Sequence, residues 1–118
     1  MAMLMRIAWG RLKPGHWDAF EEDYRKVNQN LYFPGLTARY LIQDVTQKDS
    51  GFSITVWKSE EDLKEYEASE LRSTLTKEIE RHFSGVFNVQ RCRIKMAQHF
   101  EVDEIAGGSK WRQCRSPN

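Results

Sequence analysis

Cysteine is scarce in this 118-residue chain, which carries only Cys92 and Cys114. Neither has a second Cys or a His at metal-ligand spacing, and two are too few for a disulfide framework. No cross-linked scaffold or zinc module is expected; the thiols read as free and the compartment as reducing, hence cytoplasmic. An excess of charge of one sign is also missing. Lys and Arg total 18 against 17 Asp and Glu, a formal net charge of +1. A general nucleic-acid binder needs a cationic surplus to displace counterions, so no nucleic-acid partner is expected. No apolar run approaches the ~20 residues that cross a bilayer. The opening Met1–Arg6 stretch is too short to act as a secretory signal, so no membrane role is expected either. No repeat and no low-complexity tract interrupts the chain. HExxH, GxGxxG, GxSxG, P-loop and CxxC patterns do not occur, which removes the commonest metal, dinucleotide, hydrolase and nucleotide sites. No metal and no cofactor are expected.

What is present suits one folded domain, with 40% apolar and 30% charged residues. Leu4 to Leu12 reads as a strand, stopped by Lys13-Pro14-Gly15. Trp17, Phe20, Tyr24 and Val27 recur at helical spacing among charged residues and mark an amphipathic helix to about Asn30. Leu36 to Val45 and Phe52 to Lys58 read as strands joined by a polar turn at residues 47–51, hence as an antiparallel hairpin. Ser59 caps a second helix, with Asp62 three residues on. Leu63, Tyr66, Leu71, Leu75, Ile79 and Phe83 supply its apolar stripe, and Ser84-Gly85 ends it. Val86 to Met96 is a fourth strand. Residues 98–118 form a C-terminal tail or arm after a domain spanning 1–97, with Trp111 as a candidate anchor on a partner subunit.

The order βαββαβ specifies an α+β, ferredoxin-like plait: a four-stranded antiparallel sheet with two helices on one face. The strands are apolar on both faces. Phe52, Ile54 and Val56 alternate with Thr55 and Trp57, and Leu41 alternates with Tyr40 and Ile42. Helices cover one face, and a second copy of the chain is the simplest cover for the other. A homodimer is therefore expected.

Arg11-Leu12-Lys13-Pro14-Gly15, Phe20, Pro34-Gly35-Leu36, and above all Val56-Trp57-Lys58-Ser59 followed by Leu63, Tyr66 and Ser69, resemble the antibiotic biosynthesis monooxygenase domain family over about residues 5–96. The resemblance implies a dimeric α/β barrel. It also implies a cleft between helices and sheet, in which members oxidise quinols or anthrone-like aromatics without a cofactor. Other members degrade heme, and others have no known activity. The heme-degrading branch uses Asn, Trp and His at positions aligned with Ala8 or Gly10, Tyr66 and Thr76. None of these matches, and Thr cannot replace an imidazole iron ligand. His82 lies a turn and two-thirds past Thr76 and is expected to point away from that direction.

Many members place His where this chain has Tyr66. A phenol can exchange a hydrogen bond with a phenolic substrate but is a weak base near neutrality. Tyr66 and Arg39 are the candidate catalytic residues, Arg39 as a stabiliser of negative charge. Trp9, Arg11, Trp57 and Leu63 are the candidate substrate-binding residues. The function implied is a cofactor-independent monooxygenase acting on a small electron-rich aromatic molecule. The alternatives are a non-catalytic small-molecule-binding or stress-related dimer and, less well matched, a heme-degrading enzyme.

Overall fold

The computed structural model describes residues 3–100. Its elements are β1 (Leu4–Leu12), α1 (Trp17–Asn28), β2 (Leu36–Gln43), β3 (Ser50–Trp57), α2 (Glu60–Ala68), α3 (Glu70–Ile79) and β4 (Phe83–Arg93), with a 3₁₀ turn at Glu80–His82 before β4. The sheet is antiparallel throughout in the order β2-β3-β1-β4. This is the ferredoxin-like α+β plait that the element order specifies. The tail anchor expected at Trp111 lies outside the described residues.

Two differences from the sequence reading have clear causes. The second helix is two helices. Ser69 closes α2 through its backbone N–H to the Tyr66 carbonyl, and its side chain then accepts from the Arg72 N–H to open α3. One serine serves as C-cap and N-cap because its backbone is extended. The break turns Leu71 outward, 50% exposed, so the single stripe through Leu71 does not hold. The last strand also begins earlier, at Phe83 rather than Val86, since Phe83 already pairs with Leu12.

Register fixes the faces. Leu4 pairs with Trp57, and both belong to a core with Phe33 and Leu63 of α2. A second core joins Leu12 to Trp17, Phe20 and Tyr24 of α1. The even positions of β1 therefore face the helices, with Thr55 and Trp57 of β3 and Arg39 and Leu41 of β2. Met5, Ile7, Phe52, Ile54, Tyr40 and Ile42 fall on the opposite face. Tyr40 and Ile42 there are exposed. Two glycines permit close packing. A Cβ on Gly51 would meet the Trp17 ring at 2.9 Å, and Gly35 turns the chain at φ +82° directly against Asp62 of α2.

A polar staple ties the 3₁₀ turn to α1. His82 is 1% exposed, with Nε2 2.8 Å from Asp23 Oδ2 and Nδ1 3.1 Å from His16 Nδ1. A proton on Nε2 donates to the carboxylate, and the two facing Nδ1 atoms share a second hydrogen bond in which one ring donates to the other. Arg81 Nη2 also donates to Asp23, at 2.6 Å. His82 first and Arg81 second hold the Asp23 carboxyl below the usual carboxylate range. A carboxyl lowered by folding stabilises the fold above its unfolded pKa, and that contribution disappears as pH falls through the folded value. Asp23→Asn is therefore expected to melt below the wild type at pH 7. The gap should narrow as pH drops from about 4 downward. Melting curves of both proteins from pH 7 to 3 check this, and a gap independent of pH refutes it.

Candidate functional site

A cleft of about 370 Å³ lies between the helices and the sheet. The sheet creates it. Ala8, Gly10 and Ser53 sit on the helix side with small or no side chains, so α1 and α3 stand over a floor that is not filled. Phe20, Tyr24 and Val27 of α1 form one wall, and Leu75 and Ile79 of α3 form the other. Across the floor, Ser53 Oγ and the Tyr24 hydroxyl are 2.7 Å apart.

One row of the sheet carries the charge. Register aligns Arg39 of β2, Thr55 of β3, Arg6 of β1 and Arg91 of β4 side by side on the helix face. Glu67 of α2 answers two of the three guanidinium groups. Its carboxylate accepts from Arg6 Nε at 2.7 Å and from Arg91 Nε at 2.8 Å. Burial pushes the Glu67 carboxyl up, but the hydrogen bonds from Arg91 and Arg6 outweigh this and hold it below the usual range. Arg39 stands at the other end of the row, and its Nη2 is buried with no hydrogen-bond partner.

Tyr66, in the last turn of α2, borders the cleft beside this row. Its ring lies 4.7 Å from that of Trp57 and 4.8 Å, edge to face, from that of Phe33. The guanidinium groups of Arg72 and Arg6 approach the same ring at 5.6 and 6.0 Å from its centre. Such contacts hold the ring and place two guanidinium groups over it.

Of the candidate residues, Tyr66 and Arg39 line the cleft from its helix side, and Trp9 and Arg11 touch its margin from odd positions of β1. Arg11 is an exposed rim residue whose Nε donates to Ser50 Oγ at 3.3 Å. Trp9 pairs with Phe52, and alternation puts it with Met5 and Ile7 on the far face. Trp57 and Leu63 do not line the cleft. They are 0% and 2% exposed and form the core beneath Tyr66, outside the cleft lining. Helical spacing placed Leu63 and Tyr66 on one stripe, but only Tyr66, nearer the helix end, reaches past the core.

Ala8, Gly10, Tyr66 and Thr76, the positions aligned with the heme-degrading branch, do converge on this cleft. Thr76 Oγ1 is engaged with the Arg72 carbonyl at 2.9 Å. His82 has both ring nitrogens committed to the staple and does not line the cleft. Among the described residues, no three His, Cys, Asp or Glu side chains gather as a metal-binding set.

Sequence reasoning missed Arg6, Arg72, Glu67 and the Tyr24–Ser53 pair. Arg6 carried one usable signal, a charge in the middle of an apolar strand.

The family model described as antibiotic biosynthesis monooxygenase matches residues 3–77. No curated protein matches the chain. Solved structures share its fold. A Bordetella bronchiseptica protein named for the same family is 14% identical with a TM-score of 0.72, covering 81% of this chain and all of its own. A conserved protein from Methanosarcina mazei is 16% identical with a TM-score of 0.70, covering 80% and 95%. A third structure, named antibiotic biosynthesis monooxygenase, is 22% identical with a TM-score of 0.63, covering 80% and 99%.

Proposed function

The chain belongs to the antibiotic biosynthesis monooxygenase family, and from that premise we propose that it is a cofactor-independent monooxygenase acting on a quinol or anthrone-like aromatic bound between helices and sheet. The observation that carries this reading is the cleft itself: apolar walls, Tyr66 in its lining, and guanidinium groups as its main charges. The size suits a small-molecule site.

The chemistry asks little of the protein. An anthrone-like substrate loses a C–H proton to water or buffer, and the carbanion passes electrons to dioxygen. A C–O bond forms, giving a hydroperoxide. Loss of water then leaves a carbonyl, so that CH₂ and O₂ become C=O and H₂O. The chain's part is to hold the ring in a dry cleft, to hydrogen-bond the phenolic oxygen through Tyr66, and to stabilise the enolate with cationic side chains. The apolar open face of the sheet supports a homodimer, and the sparse cysteines support a cytoplasmic, reducing setting.

Oxygen consumption with a panel of anthrones and naphthoquinols tests the activity. Tyr66→Phe keeps the ring and removes the hydroxyl. It should cost no more than about 1–2 kcal/mol of stability and slow turnover about tenfold or more. An unchanged rate and unchanged KM would remove Tyr66 from the site. Ligand binding without oxygen uptake would favour the non-catalytic dimer.

A further inference from the structure

We infer that the cleft selects aromatic ligands bearing a carboxylate, and that Arg39 is the residue that seats it. This deepens the oxygenase reading, on which it rests for the aromatic part of the ligand. Four arginines border the cleft: Arg6, Arg11, Arg39 and Arg72. Glu80, at its exposed end, is the only acidic side chain among the lining residues. Arg6 is neutralised by Glu67. Arg11 lies on the exposed rim against Ser50. Arg72 rests on the Tyr66 ring. Arg39 alone has a buried donor with nothing to receive it.

That arrangement is costly in the resting protein. Arg39 as a whole is half-buried, but its Nη2 is shut off from solvent, and an N–H there without an acceptor forfeits its hydration and gains nothing in return. The same sheet row shows the alternative: Glu67 pairs with Arg6 and Arg91, whereas Arg39 makes no ion pair among the described residues, and Glu21, the carboxylate that borders the groove beside it, is engaged by Arg25 and Trp17 Nε1. The cost is offset when a ligand brings the missing acceptor. A phenol arrives neutral at pH 7 and offers one weak acceptor. A carboxylic acid arrives ionised and offers two oxygens that match the guanidinium fork. Near Arg39, α1 contributes Tyr24, hydrogen-bonded to Ser53, and Asn28, whose amide donates to the Tyr24 carbonyl at 2.9 Å. These groups give the anionic end polar neighbours, while Leu75 and Ile79 give the ring an apolar wall.

Calorimetric titration with 2-naphthoate, its neutral isostere 2-naphthamide, and 2-naphthol tests the assignment without requiring turnover. Wild type should bind naphthoate about tenfold or more tighter than either neutral compound. Arg39→Met should erase that preference while still binding naphthamide. The comparison in the wild type stands even if the variant does not fold. Equal affinities for naphthoate and naphthamide in the wild type overturn the inference, as does a preference that survives Arg39→Met. If the preference is found but no quinol or anthrone is oxidised, the oxygenase reading fails and the carboxylate site stands.

Discussion

Trp57→Ala should lower the stability of this protein by about 3–5 kcal/mol, the range for removing a large aromatic from a core. Trp57 is the fully buried centre of the first core cluster, at 0% exposure, against Leu4, Phe33 and Leu63. Its Nε1 donates to Thr55 Oγ1 at 2.8 Å, and Thr55 is itself 2% exposed. Truncation therefore opens a cavity and also strips a buried hydroxyl of its donor. Small domains have about 5–15 kcal/mol in all, so the variant should sit near the edge of folding. The damage should reach the cleft as well, because Tyr66 rests on the Trp57 ring. Trp57→Phe keeps an aromatic ring there and should recover most of the loss. Chemical denaturation of the three proteins gives the comparison. A Trp57→Ala protein within about 1 kcal/mol of wild type would mean that Trp57 does not hold the core.

The second large effect concerns the proposed dimer. Ile54 sits at the middle of the open sheet face, paired with Ile7 on one side and Tyr40 on the other. If a second copy covers this face, the interface should bury on the order of 2,000 Å². An aspartate at its centre would be a desolvated, unpaired charge. Ile54→Asp should then abolish the two-chain species and leave a 13.9 kDa monomer or an unfolded chain. Sedimentation at micromolar concentration decides between outcomes. A monomeric wild type, or a variant that still dimerises, would remove the sheet-to-sheet interface.

Much of the architecture was legible because it is local. The Lys13-Pro14-Gly15 stop, the Trp17–Phe20–Tyr24 spacing and the Ser59 cap each act within a turn or two of chain, and the first strand, the first helix and the helix start appear where those signals put them. Ser69 was equally local but ambiguous. Serine can occupy an exposed helix position or break the helix; here its backbone is extended and it breaks it, with Tyr66 before it and Leu75 after it both packed on the core around Trp57.

The sequence by itself determined the order of elements apart from the break in the second helix, the apolar character of both sheet faces and the family to which the chain belongs. The tertiary structure alone decided the site's electrostatics. Strand alternation says that Arg6, Arg39 and Arg91 each point to one face or the other. It does not say that they share a row, because register depends on which residue of a distant strand lies opposite. Only the paired sheet brings Arg39, Arg6 and Arg91 into line, only the docking of α2 brings Glu67 to two of them, and the third is left with a buried donor facing the cleft. His82 follows the same rule. The helix expected to turn it from the cleft ends at Ile79; His82 sits in the 3₁₀ turn, and its partners Asp23 and His16 lie far back in the chain and meet it only when α1 packs against that turn.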